Sequence, residues 1–142
     1  MENQVDRAAE EIAMFCRLYM HTKKDLPIRP SEMGLLIYLS KEQEEVTPMK
    51  VSQFFKIAKP TVTAMINVLI QKEFIIKSVS STDRRSYFIS LSEKGKSLVA
   101  STGKAYYEQI VTLEEKMGRE EFHQFLELLS QANRILSEVE NR

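Results

Sequence analysis

The chain has 142 residues, 43% hydrophobic and 28% charged, and its 20 basic and 20 acidic side chains give a formal net charge of zero. These values suit one folded unit, and no apolar run approaches the roughly 18 residues that cross a bilayer. Cys16 is the single cysteine, which excludes an intrachain disulfide and points to a reducing cytoplasm, and the polar, acidic start does not read as a signal peptide.

Val5, Ala8, Ala9, Ile12, Phe15, Cys16 and Tyr19 recur at helical spacing and predict an amphipathic first helix that fades near His21. A connector runs from Lys23 to Arg29. Pro30 opens a second, strongly apolar helix through Met33, Leu35, Leu36, Ile37 and Leu39. Thr47 caps a third, with Pro48 in its first turn and Val51, Phe54 and Phe55 as the expected inner face. Pro60 then opens a fourth. Val62, Met65, Ile66, Leu69 and Ile70 form its buried stripe and leave Thr61, Thr63, Ala64, Asn67 and Gln71 outside.

At Phe74 the period changes. Phe74 to Ser80 is rich in Ile and Val, and Tyr87, Ile89 and Leu91 alternate beyond a polar loop carrying Asp83, Arg84 and Arg85. This is a hairpin with a basic tip. Ser92 caps a long fifth helix that reaches about Met117, Gly118 breaks it, and a sixth helix carries Phe122, Phe125, Leu126, Leu129, Ile135, Leu136 and Val139. The expected fold is mainly α with a small β-hairpin wing, in the order α-α-α-α-β-β-α-α. The first, fifth and sixth helices carry more apolar surface than one small core can use, which predicts pairing with a second copy.

Charge is segregated along the chain. Residues 50–96 hold nine Lys/Arg against three Asp/Glu, a local charge of +6, and each flank carries −3. A basic centre between acidic ends suits a central nucleic-acid surface.

The tandem of Pro60–Ile75, Ser81–Gly95 and the long helix after it resembles MarR-type transcriptional regulators over nearly the full chain. The family's Thr-Val-Thr recognition helix, Asp-x-Arg wing and Leu-Thr-x-x-Gly helix start read here as Thr61-Val62-Thr63, Asp83-Arg84-Arg85 and Leu91-Ser92-Glu93-Lys94-Gly95. The resemblance implies a homodimeric winged helix-turn-helix protein that binds palindromic double-stranded DNA, most often as a repressor. Residues 30–92 would form the DNA-binding lobe, and residues 1–29 with 93–142 a helical dimerisation base. A small-molecule or redox signal would act between them.

Three positions depart from the family pattern. Ala58 replaces the usual Ser before the recognition helix, Glu73 the Gly that ends it, and Arg29 the usual Thr/Ser cap of the second helix.

The expected DNA contacts are Lys59, Thr61, Thr63, Asn67, Arg84 and Arg85. Lys59, at a helix start, suits a phosphate. Thr and Asn on an exposed helix face can meet base edges. Arginines at a hairpin tip suit a narrow minor groove, and Asp83 would orient one of them through a charge-assisted hydrogen bond. The ordinary alternatives are a solvated polar helix face and a charged turn.

Cys16 is a candidate redox site by family analogy, against the simpler reading of a small core hydrophobe. Tyr19, Met33, Tyr38 and Tyr106 could line an effector pocket, or serve only as core or interface residues. His21 and His123 lack partners at a metal-motif spacing, and neither a phosphate loop nor a nucleophile–base pattern is present, so no cofactor, metal or catalytic residue is expected. The competing function is a winged-helix module for protein contacts, without sequence-specific DNA binding.

Overall fold

The computed structural model describes residues 3–21, 26–79 and 86–140. Six helices and one hairpin follow in chain order: α1 (Gln4–His21), α2 (Pro30–Lys41), α3 (Pro48–Phe55), α4 (Lys59–Gln71), β1 (Ile75–Val79), β2 (Tyr87–Leu91), α5 (Glu93–Met117) and α6 (Arg119–Glu140). This is the expected order. The fourth helix begins one residue before Pro60.

The helix ends follow local chemistry. Thr47 accepts a hydrogen bond from the Lys50 amide at 3.2 Å, and Ser92 accepts from the Gly95 amide at 3.0 Å. The start of α2 is secured differently. Arg29 supplies no side-chain cap, and instead the Glu32 carboxylate accepts from the Arg29 amide at 3.0 Å. Gly118, at φ 92°, separates α5 from α6.

One core sits inside the central segment. Met33, Leu35 and Leu36 of α2 meet Val51 of α3, Val62, Ile66 and Leu69 of α4, and Ile75 and Ile89 of the hairpin. The strands pair antiparallel from Ile75 with Leu91 to Val79 with Tyr87. Val46, just before α3, adds an isolated bridge by accepting from the Ile89 amide at 2.9 Å.

The expected inner face of α3 needs one correction. Val51 is buried and Phe55 half-buried, but Phe54 is 61% exposed. It stacks sideways on Tyr38 and Phe55, with ring centres 4.4 and 4.9 Å apart. An eight-residue helix offers the core a single narrow stripe, which Val51 and Phe55 already fill.

The outer helices behave differently from the core helices. No residue of α1 is buried, and of the large apolar residues of α6 only Phe122 is. Val5, Ile12, Leu18, Leu128, Ile135 and Leu136 are all exposed. Within the chain the first helix engages its apolar stripe only in part, as where Phe15 meets Phe125 of α6 with ring centres 5.9 Å apart. Among the described residues no helix is long and apolar enough to cross a membrane.

Candidate nucleic-acid interface

The α3–α4 turn sets the angle of the outward helix. Lys56 adopts a left-handed conformation, φ 55° and ψ 47°, and its amide donates to the Ser52 carbonyl. The Ser52 hydroxyl donates to the Ile57 carbonyl at 2.7 Å and so closes the turn from the other side. Ala58 then precedes α4 with no side-chain cap. Lys56 and Lys59 are both exposed, and among the described residues neither takes part in an ion pair.

Helix α4 buries Val62, Ile66 and Leu69 and half-buries Met65 and Ile70. Thr61, Thr63, Ala64, Asn67 and Gln71 point outward, all exposed. The four expected contacts that can be placed, Lys59, Thr61, Thr63 and Asn67, therefore share the exposed side of one helix. The other expected residues, Asp83, Arg84 and Arg85, lie outside the described residues.

The far end of α4 is tied to the hairpin by a compact set of bonds. Glu73 takes φ 67°, its amide donates to the Ile70 carbonyl, and the Phe74 amide donates to the Leu69 carbonyl. These bonds make the left-handed helix ending that normally favours glycine. The Ser92 hydroxyl donates to the Glu73 carbonyl at 2.6 Å, and the Lys94 ammonium to the Lys72 carbonyl at 3.0 Å. Gly95 is required here, because a Cβ on it would stand 2.3 Å from the Phe74 carbonyl oxygen.

Some residues of this surface escape a reading by sequence alone. Lys77 lies over the Tyr87 ring, 4.2 Å from its centre, and holds a cation at the base of the wing. Lys72 and Lys94 meet although 22 positions separate them. The local charge of residues 50–96 signalled these cations as a group, but no motif singled them out.

The remaining candidates scatter. Cys16 is exposed on α1, so it is not a core hydrophobe of its own chain. Of the four proposed pocket residues, Met33 is fully buried and Tyr38 packs on Phe54 and Phe55. Burial raises the Tyr106 phenol above its ordinary pKa, with smaller contributions from Tyr19 and Tyr107. Tyr19 alone of the four lines the groove of about 510 Å³ between α1 and α5, together with Phe15, Leu18 and Leu113. The Gln109 amide crosses that groove to donate to the Leu18 carbonyl at 3.2 Å. Among the described residues no three His, Cys, Asp or Glu side chains converge on a metal position.

The sequence model of the family described as Transcriptional regulator SarA/Rot matches residues 17–102. No curated protein matches the chain. Several solved structures share its fold. A MarR/EmrR family transcriptional regulator from Acinetobacter sp. ADP1 is 23% identical, covers 96% of this chain and 99% of its own, and superposes with a TM-score of 0.79. The S. aureus MepR–DNA complex is 21% identical over 89% of this chain and 96% of its own, with a TM-score of 0.82. The transcriptional repressor CouR, bound to a 23-mer DNA duplex, is 19% identical over 93% of each chain, with a TM-score of 0.77. The family match spans the whole helix-turn-helix, the hairpin and the start of α5, where the residues described above pack together. This chain therefore belongs to the SarA/Rot family of transcriptional regulators and has the MarR-type winged-helix fold, with the role of a regulator and not of an enzyme.

Proposed function

We propose that the protein is a homodimeric, DNA-binding repressor of a palindromic operator, released by a small-molecule or stress signal. The observation that carries the reading is the outward face of α4. Thr61, Thr63, Ala64 and Asn67 are exposed opposite a fully buried stripe of Val62, Ile66 and Leu69, so the core makes no use of them. The DNA complexes of MepR and CouR, which share the fold, support the same reading.

In this mechanism α4 enters the major groove. Thr63 and Asn67 approach base edges, and Lys59 takes a phosphate. Arg85, with Arg84, reaches the flanking minor groove under the guidance of Asp83. Residues 30–92 form the reading lobe, and residues 1–29 with 93–142 the base. In the dimer the two recognition helices stand about 34 Å apart, one turn of duplex. The exposed apolar faces of α1 and α6 support such pairing. An effector in the α1–α5 groove would act by favouring one separation of the lobes, which requires unequal affinity for the two states. The protein works in the cytoplasm, where the reduced Cys16 thiol is stable.

Selection of duplexes from a random pool, followed by salt titration, tests this. A palindrome should emerge, and Arg85→Ala should weaken binding to it by about 1–3 kcal/mol. If no sequence is enriched and only weak, unspecific binding appears, the DNA reading fails and the protein-contact module takes its place.

A further inference from the structure

A groove of about 280 Å³ runs along the flank of α4 that faces the start of α2. Thr61, Ala64 and Val68 of α4 line it with Lys72, just past the helix end, and Arg29 and Glu32 stand across from them. These four positions are spaced three and four apart, so they continue one stripe, about 16 Å long at the usual helical rise. Thr63 and Asn67 project from the adjoining side. The groove is thus a separate surface that shares Thr61 and Ala64 with the reading face.

Its electrostatics are arranged around one buried anion. Glu32 is 3% exposed, accepts from the Arg29 amide at 3.0 Å and lies 4.0 Å from the Lys72 ammonium. The carboxylate is therefore partnered on the floor, where it holds Lys72 at the rim. The Lys72 main chain is fixed in turn by Lys94. Arg29 is exposed, and its guanidinium is not the group that caps α2. Two cations anchored to rigid elements thus flank an open channel beside the recognition helix.

We propose that this groove seats the sugar–phosphate backbone of the duplex that α4 reads, with Arg29 and Lys72 as phosphate-contacting residues. The inference rests on the DNA-binding reading above and extends it from the outward face of α4 to the flank of that helix that faces α2. A helix in a major groove has a backbone strand along its flank. A channel along α4 with Arg29 and Lys72 among its lining residues fits that strand. Phosphate contacts of this kind fix the position and register of the protein and carry no sequence information.

The test measures binding of the selected duplex by fluorescence anisotropy between about 50 and 200 mM salt, where phosphate contacts are most visible. The native protein is compared with Arg29→Gln, Lys72→Gln and Lys72→Arg. Arg29→Gln keeps the backbone amide that Glu32 caps, so it serves as the control should Lys72→Gln loosen the fold. Each glutamine variant should flatten the slope of log K against log salt by about 0.9 for each phosphate that the protein no longer neutralises. The order of preference among duplexes that differ by a base pair should stay the same, and Lys72→Arg should restore the slope. Unchanged affinity and slope in both glutamine variants, with salt-dependent binding by the native protein, would overturn the proposal alone. Native protein without salt-dependent binding would remove the DNA reading itself, and this proposal with it.

Discussion

Single residues in this chain carry costs that only their backbone geometry reveals. Glu73 ends α4 at φ 67°, where a side chain is disfavoured relative to glycine by on the order of 1 kcal/mol. Its amide and that of Phe74 still make the full set of helix-ending bonds, so the strain is tolerated and not relieved. Glu73→Gly should therefore raise stability by about 1 kcal/mol, less the added freedom of the unfolded chain. Chemical denaturation of the two proteins measures it, and a less stable glycine variant would show that the Glu73 side chain does more than occupy a turn. The sequence already marked Glu73 as a departure, because the family places glycine there. The angle itself depends on how Phe74 is drawn back to Leu69, which no local pattern states.

The elements pack through a few close approaches, and the tightest joins α5 to the hairpin. Gly95 lies in the first turn of α5, directly against the Phe74 main chain. Gly95→Ala would place a methyl group 2.3 Å from a carbonyl oxygen that cannot swing aside, since it also accepts from the Ser92 amide. The helix would have to move off the hairpin. The expected loss is about 1–3 kcal/mol, as for other overpacked sites. A thermal melt checks this, and an unchanged midpoint would mean that the junction is looser than its geometry implies. The same scale explains Phe54. Helical spacing put it on an inner face, but a two-turn helix cannot turn both Phe54 and Phe55 toward one core. The stripe of α4 was readable because five apolar positions repeat over three turns and leave one polar side.

At the scale of the whole molecule, the apolar residues divide into two populations. The central segment closes its own core, whereas α1 and α6 leave Ile12, at 64% exposure, and Ile135, at 53%, in solvent. Exposed apolar faces on two long helices are the mark of an association surface. Sedimentation should give twice the chain mass of 16.5 kDa. Ile12→Glu with Ile135→Glu should shift the protein toward the single-chain mass without unfolding the central segment, since neither residue belongs to its core. A native protein that stays at the single-chain mass at every concentration would remove the dimer from the proposed mechanism.

Local rules acting over a few residues decided most of what could be read from the chain itself. Helical period, the proline and threonine starts, the switch to alternation at Phe74 and the glycine at 118 all act within one or two turns, so the order of elements and the outward face of α4 follow from them. The basic bias of residues 50–96 follows from composition alone. What the tertiary structure decided depends on residues far apart in the chain. Arg29, Glu32 and Lys72 share a groove because α2 packs across α4, Lys94 reaches Lys72 because the hairpin returns the chain to the end of that helix, and Cys16 is exposed because α1 meets the rest of its chain through Phe15, Leu18 and Tyr19. Long-range packing brings these groups together, and a one-dimensional pattern has no term for distance in space.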